Sequence, residues 1–357
     1  MKNIYFHLSE LIRKEKVALA TIIEAKGSTP QVQGASALFT SGGLIAGTLG
    51  GGLLEGNARR RAEEALKERY PLIYRFDLDA RLTSREGAVC GGQAVILIDP
   101  TPEIHQRTFQ RLHQSFLKRQ PGILATKIEA FSDRKIFISR YWIEGEQESL
   151  ADLEEPLSRY GEDMVETLMQ RKPSLIKVRR EKGKESLLFF EPVFPLPQLV
   201  IAGAGHIGRA VAHLGNLLNF EVIVIDDRTE YANRENIPDA DRIIVGEMGK
   251  AVRNFSISSD TYVVIVTRGH QHDAEVLRQC IASDAAYIGM IGSARKIRLM
   301  KEKFLKNGWA SSDQWDRVRA PIGLEIGSKT VEEIAVSIAA QLVQVRSRIH
   351  QERRKKE

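Results

Sequence analysis

The sequence predicts a two-part α/β protein. A Rossmann-like, doubly wound parallel sheet fills the C-terminal half, preceded by a separate α/β or α+β domain. Three observations carry this reading. Beyond residue 197, short apolar segments rich in β-branched residues alternate with helical patterns. The turn Gly203-Ala204-Gly205-His206-Ile207-Gly208 joins the first of these segments to the first helix. The stretch 191–198, EPVFPLPQ, places three prolines in six residues and reads as an extended linker, since proline cannot donate to a ladder.

In chain order, a helix at about 3–14 precedes a strand at 17–25, and a helix near 53–69 follows a glycine-rich stretch. Strands are expected near 72–77 and 93–99, a helix at 103–119, and strands at 122–130 and 135–142. A helix at 156–171 and strands at 174–179 and 186–191 complete this half, whose topology the pattern leaves open. After the linker come strands at 199–205, 222–227, 242–246, 262–269 and 287–292, apolar on both faces as a doubly covered sheet requires. Ile207, Val211, Leu214 and Leu218 share one helical face. The last helix opens on a Thr330…Glu333 capping box and buries Ile334, Ile338, Leu342 and Val345. The expected domains are 1–192 and 197–348, with a basic tail at 349–357.

With 357 residues, two domains of roughly 150 residues each are expected. Each is long enough for a core without a disulfide or metal staple. No apolar run approaches the ~18 residues of a membrane span, and the charged start does not read as a signal peptide. Two cysteines, Cys90 and Cys280, make no disulfide framework, so a cytoplasmic protein is expected. The net charge is +6, but the last twelve residues supply +4 of it. A near-neutral body without zinc-finger or RNA-binding motifs argues against nucleic acid as a partner.

Four segments have the residue types for chemistry. In Gly203, Gly205, His206 and Gly208, the glycines permit a tight turn, close backbone approach to a phosphate, and helix–strand packing. Asp226 at the end of the next strand suits a ribose, and Asp227 and Arg228 leave NAD versus NADP open. A turn that only packs the sheet is the plain alternative. Second, Thr267-Arg268-Gly269-His270-Gln271-His272-Asp273 should reach the same edge, as should Gly292 and Ser293. Arg268 and His270 can meet a ligand there. His270, His272 and Asp273 have metal-ligand chemistry, yet one H-x-H without a distant partner gives no metal site. Asp273 can instead cap a helix at 274–282.

Third, residues 27–56 hold nine of the 28 glycines and only one proline, interleaved with leucine, isoleucine and phenylalanine. Gly27, Ser28, Thr29, Thr48, Gly50, Gly51 and Gly52 would build a folded region of close backbone approaches ahead of a helix, able to present N–H groups to an anion. Glu55 would lie in that helix's first turn, and the alternative is a set of turns and bulges. Fourth, Cys90-Gly91-Gly92 surrounds a thiol with open backbone, suited to a soft metal or transferable sulfur, whereas Cys280 reads as a small buried hydrophobe.

Taken together, GSTPQVQGASALFTSGGLIAGTLGGGLLEG (27–56), CGG (90–92), VIAGAGHIG (200–208), TRGHQHD (267–273), YIGMIGSARK (287–296) and APIGLEIGSKTVEEIAVSIAAQLV (320–343) resemble the XdhC/CoxI family of molybdoenzyme accessory proteins. Val331 departs from the family's frequent proline, which mainly pre-sets the helix. The resemblance implies a chaperone that binds molybdenum cofactor, protects it during sulfuration by a cysteine desulfurase, and delivers it to xanthine dehydrogenase or a related hydroxylase. A homodimer is expected. Two other classes remain: an NAD(P)-dependent oxidoreductase or xanthine dehydrogenase-associated subunit, and a nucleotide-sensing regulator.

Overall fold

The computed structural model describes residues 4–77, 92–130, 135–145, 157–179 and 185–355. The chain divides into two units, Lys2–Pro195 and Leu196–Glu357.

The N-terminal unit is built on antiparallel pairing. Its elements are α1 (Ile4–Leu11), β1 (Ala18–Lys26), β2 (Ser36–Thr40), β3 (Gly43–Gly47), α2 (Gly52–Glu68), β4 (Leu72–Asp77) and β5 (Gln93–Asp99). There follow α3 (Gln106–Leu117), β6 (Gly122–Ala130), β7 (Ile136–Glu144), α4 (Gly161–Met169), β8 (Ser174–Arg179) and β9 (Glu185–Val193). A five-stranded sheet runs in the order β3-β2-β1-β5-β4, and a four-stranded sheet in the order β7-β6-β9-β8. Alternation explains why β1 is buried on both faces. Ala18, Ala20 and Ile22 pack on Ala58, Ala62 and Ala65 of α2. Leu19 joins Phe109 of α3, Leu124 of β6 and Trp142 of β7 on the opposite face. Alanine on both partners lets α2 lie close to the sheet. The second sheet's other face packs Ile123, Ala125 and Phe190 on Met164 of α4.

Between the sheets lies a buried polar cluster. The Arg140 guanidinium meets the Asp99 carboxylate, each side chain only 2% exposed. Tyr5 Oη donates to Glu191 Oε2 at 2.6 Å. Burial pushes the Glu191 carboxyl up to about 7, against the lowering pull of the Tyr5 hydrogen bond and the Arg140 charge.

The C-terminal unit contains β10 (Gln198–Ala202), α5 (His206–Leu217), β11 (Glu221–Asp226), β12 (Arg242–Val245), α6 (Met248–Arg253) and β13 (Thr261–Ile265). It continues with α7 (His270–Cys280), β14 (Tyr287–Met290), α8 (Ala294–Lys306), α9 (Ser312–Asp316), β15 (Val318–Arg319) and α10 (Val331–Lys355). Six parallel strands follow the order β12-β11-β10-β13-β14-β15, the doubly wound dinucleotide-fold order. Val200 and Val263 face Val276 of α7 and Phe304 of α8. Leu199 and Val264 face Val211 of α5 and Ile338 of α10. The capping box of α10 forms as expected: Glu333 N–H donates to Thr330 Oγ1 at 3.2 Å, and Thr330 N–H to Glu333 Oε2 at 3.0 Å. No described helix is long and apolar enough to cross a membrane.

Candidate functional site

In the C-terminal unit the expected residues collect where the strand order reverses. β10 lies between β11 and β13, so loops from all three strands share one edge. Gly203 has φ +118°, and a Cβ there would lie 2.4 Å from the Val266 carbonyl oxygen. At Gly208 a Cβ would lie 1.8 Å from the Gly203 carbonyl oxygen. Packing alone therefore demands both glycines. Gly205, the N-cap of α5, would meet nothing with a Cβ, and His206 beside it is exposed. Open N–H groups at a helix start are suited to an anion.

Asp226 is buried, and its carboxylate is already occupied. It accepts from Ala204 N–H at 2.7 Å, from Arg228 N–H at 3.0 Å, and from Arg228 Nε and Nη2 at 2.9 Å each. Burial would raise this carboxyl, but the Arg228 and Ala204 hydrogen bonds outweigh it and hold the group at about 2. The expectation that Asp226 and Arg228 face a ligand thus meets a carboxylate and a guanidinium bound to each other. The neighbouring Asp227 is different: its Oδ2 accepts from Arg268 Nη2 at 2.9 Å, while its Oδ1 is buried with no hydrogen-bond partner. In the sequence Asp227 bears only on NAD against NADP, and its buried Oδ1 is visible in the structure alone. The doubled aspartate was the available signal.

The 267–273 segment corrects one expectation. α7 begins at His270 with Gly269 as its N-cap, so Asp273 lies in the first turn and does not cap a helix at 274–282. Its carboxylate reaches back to Thr267, accepting from Oγ1 at 2.6 Å and N–H at 3.3 Å, and so holds the loop. Burial raises the Asp273 carboxyl, against the Thr267 hydrogen bonds and the nearby His270 and His272. His272 Nδ1 lies 3.5 Å from Glu275. Among the described residues no three His, Cys, Asp or Glu side chains assemble a metal site. Ser293 caps α8 and Gly292 precedes it at the same sheet edge. Cys280 is fully buried, and burial pushes its thiol up to about 12.

In the N-terminal unit the glycine-rich stretch is a pair of strands followed by a strained helix start. A Cβ on Gly50 would lie 2.5 Å from Pro30 Cβ, and one on Gly92 2.3 Å from the Ser28 carbonyl oxygen. The Gly27–Pro30 turn therefore sits against both glycines. Thr29 Oγ1 closes that turn by donating to the Gln31 carbonyl at 2.7 Å. Glu55 Oε2 accepts from Thr48 Oγ1 at 2.7 Å and Leu49 N–H at 3.1 Å, while Gly50 N–H donates to Thr48 Oγ1 at 3.0 Å. Thr48 and Glu55 thus brace the junction. Gly51 has φ 73° and ψ −170°, a region open essentially to glycine alone. Cβ atoms on Gly51 and Gly52 would nonetheless meet nothing. Among the described residues the N–H groups of Gly51, Gly52 and Leu53 find no acceptor, so the start of α2 presents bare backbone. Cys90 and Gly91 lie outside the described residues.

Comparison with known proteins fits both units. The family description "XdhC Rossmann domain" matches residues 199–342, and "XdhC and CoxI family" matches residues 11–77. A Bacillus subtilis protein described as a probable xanthine dehydrogenase subunit is 26% identical over 98% of this chain and 99% of its own length. The molybdenum cofactor insertion chaperone PaoD of Escherichia coli is 29% identical over 27% of this chain and 29% of its own. A solved Bacillus halodurans structure, described as a xanthine dehydrogenase, superposes with TM-score 0.72 at 25% identity, covering 98% of this chain and 97% of that one. A glycine-rich antiparallel unit matched at one end and a parallel Rossmann unit matched at the other leave one assignment: the chain belongs to the XdhC and CoxI family.

Proposed function

We propose that this protein is a molybdenum-cofactor accessory factor. It binds the cofactor, shields it during sulfuration by a cysteine desulfurase, and delivers it to a xanthine dehydrogenase-type enzyme. The relatives' names point to this system: a probable xanthine dehydrogenase component matches nearly the whole chain, and a molybdenum cofactor insertion chaperone matches part of it. The structural observation that carries the reading is the bare start of α2. Three successive left-handed glycines, Gly50 (φ 107°), Gly51 (φ 73°) and Gly52 (φ 56°), hold a helix N-terminus open. The cargo's phosphate and pterin oxygens are acceptors suited to unpaired N–H groups and to the positive end of a helix dipole. Cys90, two positions before Gly92 in the chain, supplies the thiol that would meet the sulfur- or molybdenum-bearing end.

The Gly203–Gly208 turn takes a phosphate or a nucleotide, with Gly205 and the start of α5 as the open face. Asp227 Oδ1 is buried without a hydrogen bond, 3.9 Å from Arg228 Nε, and a ribose hydroxyl that reached it would satisfy it. NAD and NADP belong in the test for that reason.

The test is anaerobic loading with molybdenum cofactor, then oxidation and fluorescence quantitation of the bound pterin, with NAD and NADP titrated in parallel. The expected result is stoichiometric pterin that transfers to apo-xanthine dehydrogenase and falls in Cys90→Ala and Gly51→Asp. Pterin retained in full by both variants would overturn the assignment to these residues. Saturable NAD binding without pterin would overturn the accessory reading.

A further inference from the structure

A groove lies between α7 and α8 of the C-terminal unit. It has a volume of about 550 Å³, and its α7 wall begins at His270, a residue of the sheet-edge loop. From α8 it is lined by Lys296, Leu299, Met300 and Lys303, an i, i+3, i+4, i+7 stripe that forms one helix face. From α7 it receives Arg278, with Trp309 closing the end.

Its chemistry is cationic around an apolar floor. α8 reads ARKIRLMKEKFLK, six basic residues against one acidic. Lys301 is paired with Asp316 at 3.1 Å. Among the described residues, no carboxylate lies within ion-pair distance of Arg278, Lys296 or Lys303. Arg278 and Lys303 instead stand over the Trp309 ring, at 4.6 and 5.4 Å from its centroid. Leu299 is 54% exposed inside this cationic ring. The lining's carboxylate is Glu275, which lies 3.5 Å from His272. Leu299 is thus left half in water among cations that have no described carboxylate partner, two of them resting on Trp309. A partner that buries the leucine and neutralises the cations gains from both.

We infer that the α7–α8 groove docks an acidic segment of a partner protein, with an apolar side chain of that segment seated on Leu299 and Met300 and its carboxylates on Lys296, Lys303 and Arg278. Eight helical residues span about 12 Å, room for roughly two turns of a docked helix. The apolar floor is what selects a peptide over a bare polyanion, because a phosphate backbone brings nothing to bury on Leu299. This surface shares His270 with the sheet edge but no residue with the Gly203–Gly208 turn or the start of α2.

The probes are a synthetic glutamate-rich helical peptide with leucines spaced three and four apart, the same peptide with lysine for glutamate, and a single-stranded RNA oligonucleotide. Binding is followed by anisotropy on the full-length protein at several salt concentrations. The acidic peptide should bind and the lysine version should not. The variant K296E should weaken it several-fold with an unchanged thermal midpoint, and K296E/K303E roughly tenfold or more in a protein that still unfolds cooperatively. Leu299→Ser should weaken the peptide several-fold and leave any RNA binding as it was. Absence of peptide binding would overturn the inference. So would RNA binding as tightly as the peptide, with Leu299→Ser without effect on either.

Discussion

The two glycine turns of this protein need glycine for opposite reasons. At Gly203 and Gly208 the backbone is packed so closely that a Cβ would sit 2.4 and 1.8 Å from carbonyl oxygens. At Gly51 and Gly52 a Cβ would touch nothing, and glycine is required by conformation alone. One turn is imposed by the packing of a sheet against its helix. The other is a strained junction, braced by Thr48 and Glu55, whose outer side is bare backbone. Strain without crowding is what a backbone binding site requires, since the ligand occupies the space that side chains leave. The N-terminal turn is the better candidate for cargo for that reason, although the C-terminal turn has the more recognisable motif.

The largest break in this comparison comes from Gly208→Ala. Its methyl group has no room, and overpacking should cost the C-terminal unit roughly 3 kcal/mol or more, read as a lowered thermal or urea midpoint. Asp226→Ala comes next. It strands the Ala204 N–H and the Arg228 guanidinium, and should cost about 2–3 kcal/mol in the same measurement. Gly51→Ala should cost only about 1–3 kcal/mol, from backbone strain, and should leave a folded N-terminal unit. A Gly51→Ala loss as large as that of Gly208→Ala would erase the distinction between the two turns.

The two units also carry buried carboxyls that titrate in opposite senses. Asp226 is held at about 2, below its ordinary 3.8, so its stabilisation is present above that ordinary value and disappears as pH falls toward 2. Glu191 is raised to about 7 from an ordinary 4.5, so its contribution is complete below 4.5 and disappears as pH rises to 7. Glu191→Gln should therefore flatten the fall in urea midpoint between pH 4.5 and 7 while leaving the acid limb intact. An unchanged slope in that window would remove Glu191 from the account.

Legibility followed the range of the interactions. The parallel strands, the Gly203–Gly208 turn and the Thr330–Glu333 cap were readable, because each rests on local periodicity or on residues a few positions apart. β2 and β3 were not resolved within the glycine-rich stretch, whose glycines mask strand patterning. β15 spans only Val318–Arg319, too short for alternation to show. Nothing local announced that β6–β9 would form a second sheet, or that Arg140, Asp99, Glu191 and Tyr5 would meet between the two. The helix start at His270 is hidden in the sequence, because Asp273 resembles a cap but bonds backward to Thr267. The two adjacent aspartates look alike in sequence, and only the geometry shows that Asp227 Oδ1 is the oxygen left without a hydrogen bond.

The smallest structural change gives the most direct test. Leu53 is 44% exposed in the first turn of α2, where its N–H is one of the bare donors. An aspartate there favours the helix dipole by roughly 0.3–1 kcal/mol, so Leu53→Asp should fold at least as stably as the parent. It also sets a carboxylate where an anionic cargo would bind. Anaerobic loading of this variant beside the parent, with bound pterin quantified after oxidation, isolates that effect. The expected result is an undiminished thermal midpoint and a large loss of bound pterin. Full pterin retention in a folded Leu53→Asp protein would contradict the claim that the start of α2 holds the cargo.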